Sequence, residues 1–157
     1  MGSLRIYADT SVFGGGFDDE FEVESRRFFS LVHGRLVTVL LSEFVLEELE
    51  LAPARVQRVL EELPRPYVHR VEINTDVIEL RNAFLASKVV GPRSTYDATH
   101  VAAATVGRCD AIVSWNFQHI VRLDKIRMYN GVSIQRGYPP VSIVTPKEVR
   151  FDEEERA

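Results

Sequence analysis

One cysteine, one tryptophan and two methionines occur among 157 residues, and no apolar run approaches the ~20 residues needed to span a bilayer. A lone thiol, Cys109, excludes an intrachain disulfide and cannot by itself build a structural zinc site. Its expected role is that of a small buried apolar side chain. No basic segment followed by an apolar stretch opens the chain, so nothing there marks a secretory signal, and the expected location is cytoplasmic with no membrane partner. Excess positive charge is missing too. Lys and Arg number 19 against 23 Asp and Glu, for a net charge of -4. A protein that grips phosphates with side chains alone leaves a basic footprint, and none is advertised here. Either nucleic acid is not the ligand, or clustered carboxylates carry the negative balance and a bound cation offsets them.

What is present is ordinary globular material, 45% apolar and 27% charged. The length fits one domain, residues 1–157, with a core over about 4–145 and an acidic tail, 151–157, expected to fray. Leu4 to Ala8 alternates briefly and stops at Asp9-Thr10-Ser11, the pattern of a short opening strand. Gly14-Gly15-Gly16 with Asp18-Asp19 predicts a flexible loop; no Lys-Ser/Thr follows, so it is no P-loop. Glu22 to Val32 has helical spacing of Val23, Phe28, Phe29 and Val32. Leu36 to Leu41 is an unbroken β-branched and leucine run, suited to a strand buried on both faces.

Ser42 is a candidate cap for a helix to about Leu51, and Ala54 to Leu63 predicts another. Tyr67 to Ile73 reads as extended. Asn74, Thr75 or Asp76 can cap a helix through Leu85. Ser94 opens a helix to about Val106, and its spacing to Asp97 resembles a capping box. Ala111 to Ser114 and Val141 to Val144 read as strands. Alternating strands and helices predict an α/β three-layer sandwich with a mainly parallel central sheet.

Ligands of such sheets bind beyond the C-terminal strand ends. Asp9 follows the first strand, the helix after Ser42 follows the second, and Ser114-Trp115-Asn116 follows the strand from Ala111. Asp97 sits in the first turn of the helix leading to that strand. Mg²⁺ and Mn²⁺ prefer carboxylate oxygens and keep several waters. Two such ions about 4 Å apart can activate water and stabilise a leaving oxygen at a phosphate. The residues alone leave the second acid open among Glu43, Glu47, Glu48 and Glu50. Glu43 and Glu47 share a face as a solvated pair, whereas Glu48 lies nearer the apolar stripe and needs a partner.

The segments Tyr7-Ala8-Asp9-Thr10-Ser11, Ser42 to Leu49, Asp97 to Ala104 and Ile112 to Phe117 resemble, in that order, the motifs of PIN-domain proteins, and most closely VapC-like toxins of toxin–antitoxin pairs. The resemblance spans about residues 4 to 145. It implies a PIN-like, Rossmann-like fold and an endoribonuclease, dependent on Mg²⁺ or Mn²⁺, that hydrolyses RNA with metal-activated water. It also implies a cognate antitoxin partner and frequent homodimers. Carried over by position, the acids are Asp9, Glu48 (six residues after Ser42 and followed by Leu49) and Asp97. Asn116 stands where many members carry a fourth aspartate; it can bind metal through its carbonyl but brings no charge.

Ser11 and Ser114 are candidate orienting or phosphate-contacting hydroxyls, and His119, which falls where another acid often sits, is a candidate to touch substrate phosphate or to cap a turn. His100 reads as a structural or supporting residue, and Trp115 as packing. Two alternatives remain. One is a PIN-fold RNA- or protein-binding module that is weakly active or inactive, motivated by Asn116 and the acidic charge. The other is a phosphatase-like enzyme with Asp9 as nucleophile, weakened because no second aspartate follows two residues on.

Overall fold

A computed structural model describes residues 2–152. The chain runs β1 (Leu4–Ala8), α1 (Thr10–Gly15), α2 (Glu22–His33), β2 (Val37–Leu41), α3 (Glu43–Glu50), α4 (Ala54–Glu61), β3 (Val68–Arg70), α5 (Thr75–Ala86), α6 (Thr95–Val106), β4 (Ala111–Val113), α7 (Leu123–Gln135) and β5 (Ser142–Val144). The strands form one parallel sheet in the order β3-β2-β1-β4-β5. Helices flank it to make a three-layer α/β sandwich.

That order dictates the layers. The β1-to-β2 and β2-to-β3 connections move one way along the sheet, and the β3-to-β4 and β4-to-β5 connections move the other. With right-handed crossovers, α1 to α4 cover one face and α5 to α7 the other. The direction reverses between β1 and β4, where Tyr7 is in register with Ile112 and Ala8 with Val113. β2 is buried at all five positions, as its continuous apolar run predicts. Fully burying each such Val or Leu contributes roughly 1.5–3 kcal/mol.

Several expectations change. The glycine triplet is not a loop: Gly14 and Gly15 end α1, and only Gly16 lies beyond it. A Cβ on Gly15 would sit 2.7 Å from Trp115 Nε1, so this glycine permits close packing rather than motion. Val23 is 75% exposed; α2 buries Ser25 and Leu31 with the two phenylalanines and Val32 instead. α7 occupies a stretch in which the sequence suggested no element. Phe151 is half-buried against the core, and 153–157 of the acidic tail lie outside the described residues. Cys109 is buried and free, as expected. Among the described residues no helix is long and apolar enough to cross a membrane.

Candidate functional site

β1 and β4 end side by side, and each continues into a polar residue. Asp9 occupies the N-cap position of α1, yet its carboxylate caps nothing. Instead Ser11 Oγ donates to Oδ1 and Ser114 Oγ donates to Oδ2, each at 2.5 Å. These hydroxyls are themselves fixed by the backbone, since Trp115 N–H donates to Ser11 Oγ and Asn116 N–H to Ser114 Oγ, both at 2.9 Å. Asp9 is 4% exposed, and burial pushes its carboxyl above the usual aspartate range, against the pull of His100 and the two serines.

Asp97 lies half-buried in the first turn of α6. The suggested capping box is not formed: Ser94 makes no side-chain cap bond. Asp97 Oδ1 accepts from Asn116 Nδ2 at 3.2 Å. Desolvation again raises this carboxyl, while the neighbouring His100 and His119 oppose the rise. Asn116 Oδ1 accepts the backbone N–H groups of Gln118 and His119 at 3.2 and 2.9 Å. Its carbonyl is therefore turned to its own loop and its amide NH₂ to Asp97.

Glu48 is on α3, its side chain 35% exposed, with Oε1 bonded to His100 Nε2 at 2.8 Å. Its charge bears on both Asp9 and Asp97. Glu43 and Glu47 on the same helix are exposed, in keeping with a solvated pair. Ser42 is the N-cap residue of α3, but its hydroxyl bonds the Tyr7 phenol at 2.8 Å rather than capping. His119 is half-buried, and its carbonyl accepts the Tyr129 hydroxyl. Trp115 packs: it stacks on Phe21 with centroids 4.3 Å apart and donates through Nε1 to Ser25 Oγ.

Asp9, Glu48, Asp97 and Asn116 thus meet at the point where the sheet reverses direction, where open α/β sheets bind ligands. Among the described residues neither Asp9 nor Asp97 has a Lys or Arg within ion-pair distance. Also among them, no three His, Cys, Asp or Glu side chains converge tightly enough to cage a metal ion. Three carboxylates from separate segments, two of them penalised by burial, are nonetheless the donor chemistry of a hard divalent cation. Mg²⁺ is usually bound by one or two carboxylates with water elsewhere, so such an ion needs no closed cage of protein ligands. Thr10 Oγ1, next to Asp9 in the chain, is buried without a hydrogen-bond partner.

The fold and site therefore define a doubly wound α/β domain with acidic side chains at its switch point. No protein-family model matches the chain, and no curated protein matches it in sequence. Among solved structures it is similar to a chain in a toxin–antitoxin complex from Klebsiella pneumoniae, with a TM-score of 0.55 and 16% identity over 73% of this chain and 88% of that one. At that identity the likeness is one of fold.

Proposed function

We propose that the chain is a Mg²⁺- or Mn²⁺-dependent endoribonuclease of the PIN-domain, VapC-like type, acting as the toxin of a toxin–antitoxin pair. The observation that carries this reading is Asp9: a buried carboxylate gripped by two serine hydroxyls at the switch point, with the charge of Glu48 bearing on it and on Asp97 alike. The ordered motifs around Asp9, Glu48, Asp97 and Asn116 agree with it. The fold's likeness to a chain of a toxin–antitoxin complex supports the toxin role and an antitoxin protein as partner. A homodimer in the cytoplasm is the corresponding working state.

Asp9 and Asp97 would hold the ion, with Glu48 beside them. When bound, the ion lowers the pKa of a water and neutralises charge on the scissile phosphate. Ser11 and Ser114 keep both oxygens of Asp9 from rotating, and Asn116 keeps Asp97 turned toward the same edge. The protein's work is to hold unpaired negative charge in one place, dry enough that a cation is its natural complement.

Purified protein should cleave RNA internally with Mn²⁺ or Mg²⁺, and EDTA should stop it. Asp9→Asn should lower the rate by at least the ~100-fold that loss of an outer partner of a metal ligand can cost. Cleavage persisting in Asp9→Asn protein at the wild-type rate would end the reading. Asn116 favours a second one, because its carbonyl is engaged by backbone N–H groups and it adds no charge. In that case the chain is an RNA- or protein-binding module of the same fold, and it should bind RNA while taking up no Mn²⁺ even at millimolar concentration.

A further inference from the structure

Beneath the carboxylates lies a hydrogen-bonded chain that crosses the sheet. Ser42 Oγ and the Tyr7 phenol are 2.8 Å apart, the phenol and His100 Nδ1 are 2.7 Å apart, and His100 Nε2 and Glu48 Oε1 are 2.8 Å apart. Tyr7 and Ser42 are fully buried and His100 is 2% exposed, whereas Glu48 reaches the protein surface. We propose that His100 is a positioning residue, which together with Tyr7 fixes Glu48 in the orientation that lets it serve beside Asp9 and Asp97. This proposal rests on the metal-dependent reading above.

Geometry sets the direction of the relay. A carboxylate oxygen only accepts, so Nε2 must carry the proton that bonds Glu48. For a neutral imidazole Nδ1 is then the bare acceptor. A tyrosine phenol is a hydroxyl at neutral pH, and with Nδ1 bare the 2.7 Å contact makes Tyr7 the donor to Nδ1. Ser42 completes the chain by donating to the phenol oxygen. Every buried polar atom in the relay is thereby satisfied, and one ring tautomer is selected. Metal-ligating groups elsewhere depend on such outer partners, whose removal weakens metal binding by about 10–100-fold. Among the described residues Glu48, on a flexible stem with a solvent-exposed side, has no other side-chain hydrogen bond. Without His100 its carboxylate would swing into water.

Two measurements test the relay. The first is Mn²⁺ affinity by calorimetry on the full chain, in wild type, Glu48→Gln, His100→Leu, His100→Gln and the double variant Glu48→Gln/His100→Leu, each checked for folding by circular dichroism. His100→Leu is expected to weaken Mn²⁺ binding about tenfold, as much as Glu48→Gln does. The double variant should be no worse than Glu48→Gln alone, and His100→Gln, which keeps an N–H donor, should recover most of the loss. Wild-type affinity in folded His100→Leu, or additive losses in the double variant, would overturn the relay.

The second measurement needs no metal: ¹⁵N chemical shifts of the His100 ring. Protonated Nε2 with bare Nδ1 is expected in wild type, with a mixture of tautomers in Tyr7→Phe. The opposite tautomer in wild type would overturn the relay by itself. If wild type binds no Mn²⁺, the metal reading fails and the ring shifts still decide the relay. If Glu48→Gln binds weakly and His100→Leu normally, only the relay fails.

Discussion

Glu24 on α2 and Asp9 after β1 are both carboxylates held by hydrogen bonds, and the protein treats them in opposite ways. Glu24 sits in a clasp of arginines: Arg27 Nε donates to Oε2 at 2.8 Å and Arg150 Nη2 to Oε1 at 3.1 Å. Arg27 also donates to the carbonyls of Val149 and Pro146, at 2.6 and 2.7 Å, tying the end of the described chain to α2. The Arg27 hydrogen bond leads the forces that hold Glu24 below the usual carboxylate range. Asp9 has the same number of donors, but they are neutral hydroxyls, and burial drives its carboxyl the other way. One cluster neutralises itself and its business is stability. The other keeps a carboxyl in a dry place with no cationic partner, an arrangement that costs stability and that the proposed metal ion would complete.

Removing the clasp gives the largest expected change in stability. Arg27→Ala strips a charged donor from two carbonyls and from Glu24, and should cost about 2 kcal/mol in urea unfolding, with Mn²⁺ affinity unchanged. A shift in Mn²⁺ affinity in that variant would break the separation drawn between the two clusters. Asn116→Asp is the next largest. It replaces the amide that Asp97 accepts from by another carboxylate, which should lower metal-free stability through like-charge repulsion and tighten Mn²⁺ binding about tenfold. Calorimetry and thermal unfolding with and without Mn²⁺ read both effects, and an unchanged affinity would place Asn116 away from the ion.

The smallest effect is a matter of pH, and its sign differs between the clusters. Because the folded pKa of Asp9 is raised, the native state keeps a proton there that the unfolded chain has lost. Its contribution to stability therefore falls as pH rises from the ordinary aspartate value, about 3.9, through the folded one. Glu24 is depressed. Its contribution is complete above the ordinary glutamate value of about 4.3 and is lost as pH falls through the folded pKa. Metal-free unfolding followed from about pH 3 to about pH 7 should show Asp9→Asn gaining on wild type as pH rises, and Glu24→Gln losing ground over the same direction. Parallel trends in the two variants would refute the contrast.

Much of the architecture can be read locally. The β2 run, the opening strand and the helices after Ser42, Asn74 and Ser94 fall where their patterns put them, because burial periodicity and cap residues act over a few positions. The glycine triplet misleads for an equally local reason. Glycines signal a loop by default, yet Gly15 is demanded by Trp115, a residue a hundred positions away in sequence. α7 escapes notice because its apolar residues do not sort onto one buried face: only Tyr129 and Ser133 are buried, while Leu123, Met128 and Ile134 are exposed.

The cap residues show most sharply where local reading stops. Asn74 caps its helix as its position suggests, accepting from Val77 N–H. Asp9, Ser42 and Ser94 occupy N-cap positions as well, and none caps. At Asp9 and Ser42 the tertiary structure offers better partners, the serine hydroxyls and the Tyr7 phenol, and the side chains turn to them.

The amino-acid sequence by itself determined most of the elements and their order, α1 and α7 excepted, and the placing of Asp9, Asp97 and Asn116 at or near strand ends and a helix start. Those properties follow from side-chain spacing over a few residues. Only the tertiary structure decided that the sheet reverses between β1 and β4, that Ser114 grips Asp9, and that His100 joins Tyr7, 93 positions away, to Glu48, 52 positions away. Such partnerships depend on strand order and register, which bring distant segments within 3 Å of each other, and no local pattern encodes a distance of that kind.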